Sequence, residues 1–377
     1  MHKLTCAALS IVLAAHTAAQ TFIVDANNGP GTDFTQIGAA VTAVPDGAVL
    51  EIRAGTYAPF QIDGKSMSLL AAPGAVVETS FFQSTAVDIV NIASHQWVHV
   101  RALGGTSAFG FARIGVRDSA GPVVLDALTI VPSGTSFGGA LLAVTNCDHV
   151  LLHGSQLGAR SLVDSPVAIF GSNVVIDDCH LLTTGPGIRQ GGGRVQVNHS
   201  TIESNTATAS LGSALLFLAG GEMVLHGDTT LIGGTTNPAP AAVGTGTIVL
   251  DPSIVVQNAS TPAFDPNLQV VQRSIPRLDA ETQALGGSAS ATLAVPSGAT
   301  GFLYLGLPVS PYQVAGVSDP IWVAHGGLQA VGGSPEVTGS YTVPNAPWVL
   351  GVSLRWQGFV LDSGHVLASN PSGYVHH

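Results

Sequence analysis

The feature that most constrains this chain is a short line of residues that recurs about every 25 positions. Each copy reads apolar, any residue, apolar, polar and small, and the copy VVIDDCHL from Val174 shows the pattern most clearly. With the second apolar residue as the anchor, the steps between copies are 25, 27, 24, 21, 28 and 25 residues. Copies of this length bury their apolar side chains by stacking on one another. The anchors are Val100, Leu125, Leu152, Ile176, Val197, Leu225 and Leu250.

Each repeat holds two or three strand-length pieces of alternating character, separated by Gly, Asn, Asp or Pro. Too little helical pattern lies between them for helical crossovers. The composition agrees: only 9% of the residues are charged, against roughly 25% in an average domain. The 46 glycines and 22 prolines favour short strands and turns. We therefore predict an all-β solenoid, a parallel β-helix over residues 20–260, whose coils lie about 4.8 Å apart.

Upstream of the repeats, the stretch DFTQIGAAVTAVPDG predicts a short amphipathic helix. Asp33 and Gln36 have the spacing of a capping box, and the apolar residues that follow have helical spacing until Pro45. A solenoid needs a cover over the open end of its core, so this helix is interpreted as an N-terminal cap. The alternative is an incidental surface helix.

This segment resembles the opening of the secreted right-handed parallel β-helix proteins of the pectate-lyase-like superfamily. The resemblance covers roughly residues 22–260 and implies the right-handed form of the fold. It does not imply one activity, because lyases, hydrolases, esterases, epimerases and non-catalytic adhesins share the architecture. The matching residues are Asp33, Phe34, Thr35, Ile37, Ala39, Ala40, Val41, Pro45, Asp46, Gly47, Gly55, Thr56 and Tyr57.

Residues 1–19 have the form of a secretory signal peptide, with Lys3 ahead of an apolar run and small residues before a cleavage point near Ala19 or Gln20. The run is too short to anchor the chain in a membrane. We therefore expect a protein that is secreted, periplasmic or at the cell surface and has no membrane insertion.

At the other end, the repeat fades into a polar connection over residues 261–276. Residues 277–377 contain alternating strands such as FLYLGL and VLGVSLRW with Gly, Pro and Asn between them, which predicts a small β-sandwich. This part is similar, in a diffuse way, to C-terminal modules that follow secreted domains in some bacteria.

The charge balance restricts the possible partners. Without the signal peptide the chain has 11 cationic and 23 acidic residues, a formal charge of −12. A nucleic acid needs clustered cations and is excluded on this ground. An acidic polysaccharide would be repelled on average, unless a local arginine patch binds it.

When the repeats are aligned, the four reactive residues from Asp177 to His180 fall in four separate columns of the alignment. Asp178 falls in a turn column with Ala127, Gly154, His199, Gly227 and Pro252. Cys179 falls beside the bend with Leu128, Ser155, Ser200, Asp228 and Ser253, and its offset from the column of Cys147 makes a disulfide between the two doubtful. His180 shares an outward-facing column with Thr129, Gln156 and Thr201. Neighbouring side chains that point in different directions do not converge on one metal ion.

Asp177 belongs to a polar column that repeats at the coil spacing. The favoured interpretation is a ladder that satisfies backbone groups at a bend, and the alternative is a sugar or metal site on the same column. Its members are Asp126, His153, Asp177, Asn198, His226 and Asp251.

Arg113 and Arg117 lie four residues apart in FARIGVRDSAG, so both point to one face if the stretch is a strand. They are candidates for binding a sugar carboxylate or sulfate, and the alternative is a pair of solvated surface arginines. The resemblance to lyases implies an arginine or lysine base opposite carboxylates that bind Ca²⁺. Ca²⁺ is therefore expected only if the protein is a lyase, and otherwise we expect no cofactor and no metal.

Two functions remain open. The first is a β-helix protein that binds a polysaccharide or serves as a structural or adhesive module, and the second is a polysaccharide lyase or glycoside hydrolase. An enzyme requires carboxylates and a base that converge in a groove, whereas a structural rod leaves them as isolated ladders. The candidate carbohydrate-binding residues are Arg113, Arg117, Asp126, His153, Asp177 and His226.

Overall fold

The protein is a parallel β-solenoid of about nine turns over residues 21–272, followed by antiparallel sheets. This arrangement is seen in a computed structural model, and the predicted signal peptide, residues 1–19, lies outside the described residues. The described residues are 20–79, 85–107, 113–130, 140–158, 165–204, 214–235, 238–281, 284–346, 349–350 and 352–376.

The solenoid consists of 24 short strands and one helix in the described part of the chain. In chain order they are β1 (Thr21–Val24), α1 (Ile37–Ala43), β2 (Ala48–Ile52), β3 (Gly55–Tyr57), β4 (Phe60–Asp63), β5 (Met67–Ala71), β6 (Ala75–Thr79), β7 (Thr85–Val90), β8 (Val98–Arg101), β9 (Gly104–Ser107), β10 (Arg113–Ser119), β11 (Val123–Asp126), β12 (Thr129–Ile130), β13 (Ala140–Cys147), β14 (Val150–His153), β15 (Gln156–Gly158), β16 (Ser165–Asp177), β17 (His180–Thr183), β18 (Ile188–Asn198), β19 (Thr201–Ser204), β20 (Leu216–His226), β21 (Thr230–Ile232), β22 (Ala242–Leu250), β23 (Val255–Gln257) and β24 (Leu268–Gln272).

These strands stack on three faces, which we call the first, second and third sheets. The first and third are joined through β16 into one parallel sheet of 15 strands, and the second has nine strands. The first sheet contains β1, β2, β5, β8, β11 and β14, and the second contains β3, β6, β9, β12, β15, β17, β19, β21 and β23. The third begins with β4, β7, β10 and β13. From β16 onward a single long strand runs through the third sheet and into the first.

The predicted repeat is confirmed in its register. Leu125 pairs with Val100 on one side and with Leu152 on the other, and the remaining anchors continue the same line. Every anchor side chain belongs to one continuous apolar core. This continuous apolar core excludes water from the interior of the stacked coils.

The predicted cap helix is present as α1, which packs against β1 and β4 and buries Ile37, Ala40 and Val41 in the solenoid core. The predicted capping box is wrong. The helix begins after Gln36 without a side-chain cap, because the Gln36 carboxamide instead accepts a hydrogen bond from the Ala58 N–H. The Asp33 carboxylate accepts one from the Ile23 N–H.

The bend between the first and second sheets is built on the left-handed backbone conformation. The predicted turn column occupies it, with Asp178 at φ 53° and Gly154 at φ 55°. Glycine adopts this conformation freely, and Asp and Asn adopt it more readily than other residues. The other column members in this conformation are Ala127, His199 and Gly227.

Directly after this bend, several coils offer a side-chain acceptor to the coil before them. The Leu128 N–H donates to Ser155 Oγ, at 3.0 Å, and the Cys179 N–H donates to Ser200 Oγ, also at 3.0 Å. The Cys179 thiol donates to the Asp177 carbonyl oxygen, at 3.2 Å. The next acceptor is Thr229, not Asp228 as the alignment predicted, because this bend is one residue longer.

A second ladder of the same kind runs along the bend between the third and first sheets. The Ile92 N–H donates to Ser119 Oγ and the Cys147 N–H to Ser172 Oγ. Cys147 and Cys179 therefore hold equivalent positions on two different bends, and both are buried free thiols. Burial raises the pKa of Cys147 to about 11 and that of Cys179 further, so neither is a reactive thiolate.

The last coil extends beyond the predicted boundary at residue 260. Strand β24 pairs with β22 through Val270 and Val271, so part of the segment 261–276 belongs to the solenoid instead of forming only a connection. After it come β25 (Leu278–Ala280), β26 (Ser288–Ala294), β27 (Thr300–Tyr312), β28 (Ile321–Gly333), β29 (Glu336–Thr342), β30 (Ser353–Asp362) and β31 (His365–Val375).

Strands β25 to β31, which we call the C-terminal unit, are antiparallel and form a three-stranded and a four-stranded sheet. Leu293, Leu303 and Trp356 lie in a core that both sheets share. The prediction of an antiparallel C-terminal module is thus confirmed at this coarser level. No helix in the described ranges is long and apolar enough to cross a bilayer.

The serine ladders predict unequal effects of two Ser→Ala substitutions. Ser200→Ala leaves the buried Cys179 N–H without its acceptor and should lower the free energy of unfolding by about 1–3 kcal/mol. Ser310→Ala removes an exposed hydroxyl from β27 and should change the free energy of unfolding by less than about 0.5 kcal/mol. Urea unfolding followed by circular dichroism measures both, and equal stabilities of the two variants would contradict the ladder.

Candidate functional site

The outer face of the first sheet is covered by the C-terminal unit. Val124, Leu151 and Val175 point away from the solenoid core, stand in register on three coils, and pack against Trp322 of β28. Gly373 of β31 lies so close to Leu151 that a larger residue would collide with it. This face is therefore an internal interface.

The predicted polar column lies on the same face and is confirmed as a stack in register from Asp126 to His226. Four of its members contact the C-terminal unit or the segment that leads to it. Asp251 Oδ2 accepts a hydrogen bond from the Ile275 N–H at 2.7 Å. Ser372 Oγ donates to Asp177 Oδ2 at 3.1 Å, and Asn198 Nδ2 donates to the Pro371 carbonyl at 3.4 Å. His226 Nε2 lies 3.1 Å from the Ile275 carbonyl oxygen.

Asp126 begins the column and is 2% exposed. It pairs with Arg101, and its Oδ1 lies 2.9 Å from His153 Nδ1. Burial alone would raise the pKa of Asp126, but the His153 hydrogen bond and the charge of Arg101 lower it overall. Asp126, Asp177 and His226 are all buried, so these three candidates present no surface to a polysaccharide in this arrangement.

His199 forms an electrostatic link between the solenoid and the C-terminal unit. Its Nδ1 lies 3.0 Å from Asp177 Oδ1, and its Nε2 lies 2.9 Å from Asp279 Oδ1 of β25. Burial alone would lower the pKa of His199, but the two carboxylates outweigh it and raise the pKa to about 9. The imidazole is therefore a cation at neutral pH. Arg277 adds ion pairs to Asp228 and Asp279.

Arg113 and Arg117 lie on the third sheet, so the structure does not bring them together with the polar column. Ile114 and Val116 point into the core, and the exposed Arg117 pairs with Asp88 at 3.0 Å and lies 4.0 Å from Asp118. The hydrogen bond to Asp88 raises the pKa of Arg117. Arg113 is partly buried, and its Nε has no partner among the described residues.

An open polar hollow of about 430 Å³ lies where the second sheet meets its bend with the first. Four of its lining residues stand in register on consecutive coils, which confirms the predicted outward column. His180 Nε2 lies 3.3 Å from Glu203 Oε2 beside it. The hollow is lined by Thr129, Gly154, Ser155, Gln156, Asp178, Cys179, His180, His199 and Thr201.

The stretch around Asp177 thus contributes to two different surfaces. Asp177 faces the C-terminal unit, whereas Asp178 and His180 line the hollow. Sequence reasoning did not single out Gln156, Thr201 or His180 as a group that could bind a ligand. The signal was present in their shared outward column, but the hollow itself is formed by the bend beside them.

The described residues do not contain three His, Cys, Asp or Glu side chains placed to hold a metal ion. Asp88 and Asp118, the carboxylates beside Arg117, face that arginine as ion-pair partners. This arrangement does not fit the Ca²⁺ site that a lyase of the resembled superfamily would need, so we derive no step through Ca²⁺.

The fold and the surfaces together define a parallel β-solenoid with an antiparallel C-terminal unit docked on one face. No protein-family model matches the chain, and no curated protein matches its sequence.

The raised pKa of His199 predicts a loss of stability at alkaline pH. A histidine whose pKa rises from 6.5 to about 9 on folding stabilises the folded state fully below pH 6.5. This contribution, about 2–3 kcal/mol, disappears as the pH rises through 9. Urea unfolding at pH 6, 7.5 and 9.5 measures the effect.

The matched variant is His199→Asn, because Asn tolerates the left-handed conformation of this position. It should flatten the alkaline part of the stability curve, whereas His365→Asn at the exposed start of β31 should leave the curve unchanged. An unaltered pH profile in His199→Asn would show that the Asp177 and Asp279 pairs do not stabilise the docked state.

Proposed function

We propose that this protein acts outside the cytoplasm and binds a polysaccharide, without cleaving it, in the polar hollow of the second sheet. The observation that carries the proposal is the ladder of Thr129, Gln156, His180 and Thr201, four hydrogen-bonding side chains on consecutive coils that line one hollow. Placement outside the cytoplasm rests on the signal-peptide pattern of residues 1–19.

The chemistry of the ladder suits a sugar chain. Hydroxyl, carboxamide and imidazole groups donate and accept hydrogen bonds, as sugar hydroxyls require. Adjacent coils repeat these groups about every 4.8 Å, so an extended chain meets a similar partner at each step. A surface of this kind binds an uncleaved glycan, which is the task of an adhesive or structural module.

The charges favour a neutral polysaccharide over an acidic one. Asp178 lines the hollow, and Glu203 stands beside His180. The chain without its signal peptide has a formal charge of −12, which repels polyanions at long range. We therefore expect neutral glycans to be preferred.

The alternative, a lyase or hydrolase, has less support from the geometry. A lyase base must lose its proton readily, whereas the Asp88 carboxylate holds the proton on Arg117 by raising its pKa. Asp126 and Asp177, two carboxylates that a hydrolase could have used, are buried and already paired.

A glycan array probed with the full mature chain tests the proposal. The wild-type protein should bind neutral polysaccharides, and the double variant Gln156→Ala/His180→Ala should bind at least about 10-fold more weakly, the effect of two lost hydrogen bonds. The matched control is Gln329→Ala/His365→Ala, which removes the same side-chain types from exposed positions of the C-terminal unit. Circular dichroism checks that all variants are folded.

Two outcomes would contradict the proposal. Equal binding by the wild type and the hollow variant would remove the hollow as the site. Release of reducing ends or unsaturated uronates from any bound polysaccharide would establish the enzymatic alternative.

A further inference from the structure

The interface between the solenoid and the C-terminal unit encloses an arginine without an acidic partner. Arg355 of β30 is 1% exposed, and its Nη1 has no hydrogen-bond partner in the described part of the chain. Its guanidinium carbon lies 5.6 Å from the centre of the Trp322 ring. Arg355 pairs along the sheet with Gly373, the residue that lies against Leu151 of the solenoid.

Asp177 does not neutralise this arginine directly. Its charge favours the protonated form of Arg355 from a distance, but both of its carboxylate oxygens are engaged elsewhere. Oδ1 pairs with His199, and Oδ2 accepts the hydrogen bond from Ser372. No ion pair joins Arg355 to any carboxylate among the described residues.

A second buried donor lies on the solenoid side of the same indole. The His149 ring is 6.4 Å from the Trp322 ring, centre to centre, and the residue is 2% exposed. Neither ring nitrogen has a hydrogen-bond partner in the described ranges. Burial lowers the pKa of His149 well below its usual value, so the ring is neutral and carries one N–H that can donate.

These groups together leave a positive charge uncompensated. Burial lowers the pKa of Arg355 to about 9, so the guanidinium still carries its proton at neutral pH. An isolated charge in a protein interior is unfavourable by several kcal/mol, unless a counter-charge or several hydrogen bonds accompany it. The Arg355 Nη1 group and the His149 ring therefore require an acceptor that the described protein residues do not supply.

We propose that Arg355 and His149 bind a small monovalent anion, a halide such as chloride, between the solenoid and the C-terminal unit. A monovalent ion matches the single guanidinium charge, and a halide can be held by the few N–H donors that these two side chains offer. A divalent oxyanion such as sulfate would need more donors than these two side chains offer. The site is distinct from the polar hollow and does not depend on the proposed glycan binding.

The anion would act as a bridge between the two parts of the protein. One of its partners, His149, belongs to the solenoid, and the other, Arg355, belongs to the C-terminal unit. A ligand that binds only the docked arrangement stabilises it in proportion to its concentration. Chloride should therefore tighten the docking of the C-terminal unit.

Thermal unfolding of the full mature chain in sodium chloride and in sodium gluconate, at equal ionic strength, tests the site. Chloride should raise the melting temperature of the wild type by a few degrees, and Arg355→Met should abolish this difference. Arg117→Met, which removes an exposed arginine from the third sheet, should retain it. Equal melting temperatures of the wild type in the two salts would overturn the proposal.

Crystals grown in sodium bromide give a second measurement that needs no variant. An anomalous peak within hydrogen-bonding distance of Arg355 Nη1 and His149 supports the site. An ordered water molecule at this place, or a carboxylate that has moved to pair with Arg355, overturns it.

Discussion

The register of the stacked coils depends on the inward-facing N–H groups that follow the left-handed residues of the bends. When the chain turns through a left-handed residue, the next N–H points into the interior, where an unmade hydrogen bond costs about 1–3 kcal/mol. Ser155, Ser200 and Ser172 supply the acceptor from the following coil. Because each acceptor comes from a neighbouring coil, the coils hold one register, and the apolar anchors are aligned as a consequence.

The same bends decide which face meets the C-terminal unit. Asp177 lies just before the left-handed residue and points outward, so its carboxylate reaches Ser372 and His199. The interface combines an apolar contact around Trp322 with buried polar groups. Such groups fix one docked arrangement, because every displaced partner would leave a buried donor or acceptor unpaired.

Much of the solenoid was predictable from local pattern. The anchors from Val100 to Leu250 pair as predicted, because one period governs both their burial and their register. The covered face was not predictable, because the contact between Asp177 and Ser372 joins residues 195 positions apart. Gln36 shows the same limit at short range: its spacing suggested a cap, yet its side chain bonds to Ala58 instead. The polar hollow was not predicted, because its outward column has the sequence of an ordinary solvated surface. The hollow is formed by the bend beside that column, which the sequence pattern does not describe.

The docked C-terminal unit also constrains the number of coils in part of the solenoid. Its contacts reach from Val124, through Leu151 and Asp177, to Asn198, so they fix the number of coils between the first and last of these residues. Inserting or deleting one coil there would shift every later partner by one strand spacing. The coils between α1 and Val98 carry no such constraint from these contacts. Changes in the length of this fold are therefore tolerated best near its N-terminal end.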